Sequence, residues 1–170
     1  RPNQTTPDAN GNTVYADKRV RQALAMAVDN NICLELGYAN KGAPADNHHA
    51  GSMHPEHDPS VGRLPYDPAK AKALMAEAGM ADYEHELISI DDDWRKNTTD
   101  AVAAQLRDAG IKVKRTILPG STFWNDWAKY PFSSTNWNHR PFAVQVWGLA
   151  YRSGEAWNEA AFNNAEFDEL

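Results

Sequence analysis

A strand, a helix and a second strand follow one another between residues 86 and 117, and this order constrains the fold more than any other feature of the sequence. Residues 86–90 are mostly apolar, and residues 111–117 alternate between apolar and polar side chains, which predicts two strands. Val102 and Leu106 give the intervening helix an apolar face, and Gly110 ends it. Two strands joined by such a helix are expected to pair in parallel through a right-handed crossover, so the fold class is α/β.

Helix signals recur on both sides of this unit. Asp17 is placed to cap a helix that starts near Lys18 and runs with an apolar face to Gly37. Asp67 and the proline that follows it predict a second helix. We further expect a long loop at 41–65, a short helix capped by Ser121 or Thr122, a strand running into a turn at 132–141, a helix or irregular segment at 142–151, a surface loop at 151–158 and a starting helix near 170.

The composition bounds the class of protein. The 170 residues suffice for one domain, and 42% of them are hydrophobic. The formal net charge of -6 argues against nucleic acid as a partner. No apolar run is long enough to span a membrane. We expect residues 1–16 to be a polar lead-in segment and residues 17–170 to form the domain, with both ends cut from a longer protein.

Four histidines lie within ten residues of the long loop: His48, His49, His54 and His57. Imidazole is a frequent metal ligand, so a metal-binding protein or a metal-dependent hydrolase that uses this loop is one hypothesis. The spacing matches neither a helix-borne metalloprotease motif nor a zinc finger. Histidines that bond locally or face solvent are the other interpretation.

A candidate ligand site lies in the aromatic-rich last third of the chain. Trp137 stands between Asn136 and Asn138 and is followed by His139 and Arg140. An aromatic face beside a guanidinium can stack on the apolar part of a ligand and pair with a carboxylate. A surface arginine that packs on a tryptophan would give the same pattern, so both interpretations stay open.

Other reactive groups have structural explanations. The acids at 91–93 fit the start of a helix, where the dipole favours negative charge, although they could also be read as a metal cluster or an acid/base pair. Cys33 is expected to be a small buried hydrophobe, with a nucleophile as the alternative. No phosphate-binding loop or nucleophile elbow is present, so the sequence indicates neither an enzyme nor a cofactor.

The sequence from Asp17 to Asp29, DKRVRQALAMAVD, resembles a segment of extracytoplasmic solute-binding proteins of bacterial ABC transporters, in the peptide/nickel-binding family that includes oligopeptide- and dipeptide-binding proteins. Four further stretches resemble the family in the same order: 53–56 (MHPE), 66–79 (YDPAKAK, then L and AG), 104–113 (AQL, then AGIKV) and 162–168 (FNN, then EFD). The loop with the histidines corresponds to the family's His-Pro-Glu loop, which weakens the metal hypothesis.

The resemblance implies a two-lobe, clamshell, periplasmic-binding-protein-like fold of which this chain would be most of the C-terminal lobe. It implies a small-molecule or peptide ligand, a membrane permease and the missing N-terminal lobe as partners, and a periplasmic location. A sensor or chaperone on the same scaffold is the alternative role. In peptide-binding relatives an Asp in this segment commonly holds the peptide's ammonium group, and its place here is Arg140. The resemblance therefore implies a ligand that presents a carboxylate or another acceptor.

Overall fold

The computed structural model describes residues 1–169. After a short 3-10 turn at Val14–Ala16, the elements are α1 Lys18–Met26, α2 Asn30–Tyr38, α3 Pro68–Glu77, β1 His85–Ile90, α4 Asp93–Asp108, β2 Val113–Leu118, α5 Gly120–Asp126, α6 Ala143–Ala150 and α7 Ala165–Glu169. No helix within residues 1–169 combines the length and the apolar character that a membrane crossing needs.

The parallel strand–helix–strand unit is confirmed. β1 pairs with β2 in parallel, from His85 opposite Val113 to Ile90 opposite Leu118. Alternate residues of β1 face opposite sides of the pair, so Leu87 packs in the larger core with α1, α3 and α4, whereas Ile88 packs with Phe123 of α5 on the other side. The sheet is therefore covered by apolar side chains on both faces, as an α/β arrangement requires.

The prediction of one helix from Lys18 to Gly37 is wrong. The chain breaks between α1 and α2, where the Asp29 backbone is extended and its carboxylate accepts a hydrogen bond from the Asn31 amide. The Asp29 amide donates to the side chain of Gln105 on α4 at 2.8 Å. A local cap and a bond to a packed helix together outweigh the continuous apolar periodicity of the segment.

Several helix ends follow the sequence and others do not. Asp17 and Asp67 cap α1 and α3 through their side chains, as predicted. Neither Ser121 nor Thr122 caps α5, because the helix starts at Gly120, directly after Pro119. The acids at 91–93 do begin α4, but the residue at the cap position makes no side-chain cap bond.

The segment that carries the predicted site runs beside β1. Phe132 accepts a hydrogen bond from the Ile88 amide, and the Ser134 amide donates back to Ile88, so the segment adds a short parallel bridge rather than the predicted strand. Residues 1–3 pair with it in turn, through an antiparallel bridge between Pro2 and Phe132. The first residues of the chain are thus part of the sheet edge.

Candidate ligand-binding site

The candidate site begins where the chain leaves this bridge, at the carboxyl edge of the parallel pair. In open α/β sheets ligands bind at this edge, because the loops that follow the strands meet there. Asn136 accepts a hydrogen bond from the Arg95 Nε at 2.7 Å, and Arg95 also pairs with Asp92 at 2.8 Å. Both charged residues belong to the start of α4, so the helix after β1 holds the beginning of the site segment.

Glu159 lies beneath the segment and is only 5% exposed. Its carboxylate accepts hydrogen bonds from the Thr135 hydroxyl at 2.7 Å and from the Trp137 indole at 3.0 Å. The same carboxylate forms an ion pair of 2.6 Å with the guanidinium of Arg1. Three donor groups from two distant parts of the chain therefore converge on one acid, which fixes the position and orientation of Trp137.

The Arg1 side chain makes several hydrogen bonds besides its ion pair with Glu159. Its guanidinium donates to the Trp127 carbonyl and to the Ser133 hydroxyl, both at 2.7 Å, and to the backbone carbonyl of Glu159. Burial lowers the pKa of the Arg1 guanidinium, and the Glu159 carboxylate partly offsets that effect. The negative charge of Glu159 is consequently neutralised inside the protein rather than offered to a ligand.

Three tryptophans and a histidine form an aromatic wall around this acid. Trp127, Trp137 and Trp157 lie with ring centroids 5.9 to 6.3 Å apart, all edge to face. His49 meets another side of Trp137 at 5.6 Å. Such contacts immobilise the rings, while Trp157 stays 47% exposed and Trp137 half-buried.

His49 also connects the long loop to the end of α6. Its Nδ1 lies 2.8 Å from the Tyr151 hydroxyl. Burial lowers the pKa of His49 and raises the pKa of Tyr151 to about 12, so both side chains are neutral at neutral pH. The pair is a polar but uncharged contact beside the aromatic wall.

These residues line a cleft of about 730 Å³. Its walls come from α1, the long loop, α4, the site segment and the residues after α6, and most of the wall is apolar, with Leu24, Val102 and Phe162 among its residues. Glu159 is the one carboxylate among the lining residues within 1–169, and it is the acid already paired with Arg1. The cleft can hold a molecule of drug or peptide size without offering it a free negative charge.

The five residues from Asn136 to Arg140, which the sequence predicts as one ligand site, have different surroundings in the structure. Trp137 lines the cleft, whereas the Asn136 side chain is engaged by Arg95. Asn138 and His139 are exposed, and Arg140 is half-buried. Within the described chain, the Arg140 guanidinium has no acidic or hydrogen-bonding partner, and its carbonyl oxygen lies 2.9 Å from the His54 Nε2.

The four histidines of the loop do not converge. His49 bonds to Tyr151, His54 to the Arg140 carbonyl, and His57 lies 3.7 Å from Asp46. Across residues 1–169 no three His, Cys, Asp or Glu side chains are grouped to bind a metal ion. The hydrolase hypothesis thus finds no support in the geometry of the loop.

Sequence reasoning missed Arg1, Glu159, Thr135 and Tyr151. Glu159 directly follows the predicted surface loop at 151–158, and no periodicity marks it as buried. Arg1 belongs to the predicted lead-in segment. Only the unusual density of tryptophans around these positions signalled that a packed polar centre could lie there.

The chain forms an α/β fold with a cleft beside the candidate site, and comparison with known proteins gives the family. The model of the bacterial extracellular solute-binding proteins, family 5, middle region, matches residues 2–158. The chain belongs to this family.

Relatives differ in what their names say they bind. Heme-binding protein A of Haemophilus influenzae is 28% identical over 92% of this chain, and the match covers 30% of that protein. Di/tripeptide-binding protein 2 of Pseudomonas aeruginosa is 37% identical over 39% of this chain and 12% of its own length. The chain thus spans less than a third of the length of each of these curated relatives.

Solved structures share the fold. HbpA2 from Haemophilus parasuis superposes with a TM-score of 0.84 and 20% identity, over 99% of this chain and 34% of that one. An oligopeptide ABC transporter substrate-binding domain from Bacillus anthracis gives a TM-score of 0.79 and 22% identity, over 99% and 35%. The expected α/β class and the likeness to a solute-binding protein are confirmed, while the assignment to the C-terminal lobe stays a prediction.

Proposed function

We propose that this chain is a ligand-binding lobe of an ABC-transporter solute-binding protein, which captures a peptide-like or other small polar solute outside the cytoplasm and delivers it to a membrane permease. The family match over residues 2–158 carries this proposal. Relatives named for heme and for di- and tripeptides, and a structural relative from Campylobacter jejuni solved with Ni(L-His), support a binding role rather than catalysis. Binding needs only a ligand that contacts the closed form better than the open one.

The charges around the site favour a ligand that presents a carboxylate or another acceptor to this lobe. Glu159, the one carboxylate that lines the cleft in the described part of the chain, is paired with Arg1, so a ligand ammonium group would find no free counter-charge among these lining residues. Arg140 is half-buried, and its guanidinium has no charged or hydrogen-bonding partner among residues 1–169. Arg21 at the cleft uses one guanidinium nitrogen on the carbonyls of Tyr15 and Ala16. In this proposal Trp137 packs on the apolar part of the ligand and Arg140 orients its anionic end.

The test is calorimetric titration of the full-length protein with the tripeptide Ala-Ala-Phe and with its C-terminal amide. We expect the free acid to bind at least about tenfold more tightly, because a buried charge-assisted pair contributes roughly 2 kcal/mol or more. Arg140→Gln should remove that preference and leave the affinity for the amide unchanged. Trp137→Ala should weaken both peptides.

Mass spectrometry of the molecule that co-purifies with the full-length protein decides between peptides and other acids. A co-purified cationic solute, or equal binding of acid and amide, would contradict the proposed ligand polarity. Turnover of the bound molecule would contradict the binding role itself.

A further inference from the structure

We propose that His54 and Glu56, on the long loop at 41–65, act as positioning residues that hold the backbone at Arg140, the residue proposed to pair with the ligand. This inference rests on the proposed function of Arg140. It concerns residues that never need to touch the ligand themselves. The two side chains reach across 86 to 88 residues of sequence, His54 to the carbonyl of Arg140 and Glu56 to the first two amides of α6.

The protonation form of His54 follows from its two partners. The Gly51 amide donates to the His54 Nδ1 at 2.9 Å, so this nitrogen is an acceptor and carries no proton. The ring proton of the neutral imidazole therefore sits on Nε2, which donates to the Arg140 carbonyl at 2.9 Å. The His139 ring stacks on His54 with centroids 5.8 Å apart and an interplanar angle of 17°. The imidazole thus fixes the residue before Arg140 by packing and Arg140 itself by a hydrogen bond.

Glu56 holds the start of α6, the helix that follows Arg140. α6 begins after Phe142, whose side chain has no oxygen that could cap the helix, and Glu56 supplies the missing acceptor from the loop. Its carboxylate accepts from the amides of Ala143 at 3.1 Å and Val144 at 3.5 Å. Partial desolvation raises the pKa of Glu56, but these amide bonds outweigh it and hold the pKa below its ordinary value. A carboxylate at this position is also favoured by the helix dipole.

The residues around Arg140 have few other constraints. From Asn138 to Pro141 the chain has no regular secondary structure, and the residue before a proline is confined to extended backbone. The hydrogen bonds of His54 to the Arg140 carbonyl and of Glu56 to the start of α6 therefore determine the position of the Arg140 Cα, from which the side chain extends. A guanidinium pairs bidentately only when its approach is well oriented, so loss of the hydrogen bonds of either residue should weaken the pairing rather than remove it.

Two substitutions of the same residue separate the bond to Arg140 from the bond to Gly51. In His54→Gln the side-chain amide reaches the place of Nε2 and can still donate to the Arg140 carbonyl. In His54→Asn the shorter side chain places its oxygen near Nδ1 and can still accept from Gly51, but the bond to Arg140 is lost. His57→Gln is the matched control on the same loop, because His57 faces Asp46 and not the site segment.

The first measurement is hydrogen exchange of residues 138–150 in the full-length protein. We expect His54→Asn and Glu56→Ala to speed exchange of the Ala143 and Val144 amides about fivefold or more, as loss of one net hydrogen bond implies. His54→Gln, Glu56→Gln and His57→Gln should stay near the wild type. A His54→Asn variant that matches the wild type while His54→Gln does not would overturn the proposal, because the histidine would then serve only the turn at Gly51.

The second measurement is the affinity for Ala-Ala-Phe and its amide in the same variants. We expect His54→Asn to reduce the preference for the free acid about fivefold without changing the affinity for the amide. Faster exchange with an unchanged acid preference would overturn the link to recognition. If the wild type itself shows no acid preference, the proposed ligand polarity fails, whereas the exchange data still decide whether the two residues hold the segment.

Discussion

Replacing Glu159 by alanine should destabilise the protein more than any other single change in the site. The substitution leaves the Arg1 guanidinium, whose side chain is 13% exposed, without its counter-charge. It also removes the acceptor of the Thr135 hydroxyl and of the Trp137 indole. Three donors then lie in a space too buried for bulk water to solvate them all.

The expected magnitude follows from these contacts. Removing one partner of a buried ion pair costs roughly 3–5 kcal/mol, because the remaining charge is left uncompensated. Glu159→Gln keeps an acceptor for Thr135 and Trp137 but removes the charge, so its cost should be nearer about 2 kcal/mol. Thr135→Val removes one hydroxyl that donates to both carboxylate oxygens, and its cost should be about 1–2 kcal/mol.

Urea unfolding of the full-length protein, followed by tryptophan fluorescence, measures these changes where they occur, since three tryptophans surround the acid. The decisive comparison is a double-mutant cycle with Arg1→Met and Glu159→Leu. The pair of changes should cost at least about 2 kcal/mol less than the sum of the single changes, because neither charge is then left alone. Additive costs would refute the argument that Arg1 and Glu159 act as one unit.

Two further predictions concern the core. Burial lowers the pKa of His85 from 6.5 to about 4, so below pH 6.5 the unfolded chain takes up a proton that the folded chain does not. The free energy of unfolding should therefore fall by up to about 3 kcal/mol between pH 6.5 and 4, and His85→Gln should flatten this slope in urea titrations. A Cβ at Gly37 would lie 2.6 Å from the Thr98 Cα, whereas one at Gly148 would meet nothing within 4 Å. Gly37→Ala should lower the melting temperature and Gly148→Ala should leave it unchanged or raise it, since alanine favours helices by up to about 1 kcal/mol; the reverse order would contradict this packing.

The parts of the fold that could be predicted are those that a short stretch of sequence determines by itself. Asp67 followed by Pro68 specifies a helix start through local bonds, and alternate burial along β1 follows from strand geometry. The break before Asp29 could not be read in the same way, because it depends on Gln105, 76 residues away. An apolar periodicity records which face is buried, not whether a distant side chain interrupts the helix.

The difference between local and long-range determinants also explains which residues of the candidate site could be predicted. Trp137 could be found because an aromatic among amides and a guanidinium is unusual in sequence, and it does line the cleft. Glu159 could not be found, since its burial results from Arg1 at the far end of the chain and from Thr135 beside the sheet. A polar centre assembled from separate segments leaves no spacing pattern in any one of them.

The buried pair and the proposed recognition residue are connected by charge. If Glu159 were unpaired, its carboxylate behind Trp137 would attract cations into the cleft and repel a ligand carboxylate. Arg1 cancels that field at 2.6 Å, so the positive charge of Arg21 in the cleft lining, together with that of Arg140 on the site segment, determines the sign of the potential that an incoming molecule meets. The selectivity that we propose therefore depends on Arg1, which neutralises Glu159, as much as on Arg140. Substitution of Arg1 should consequently shift the site toward cationic ligands even where the protein remains folded.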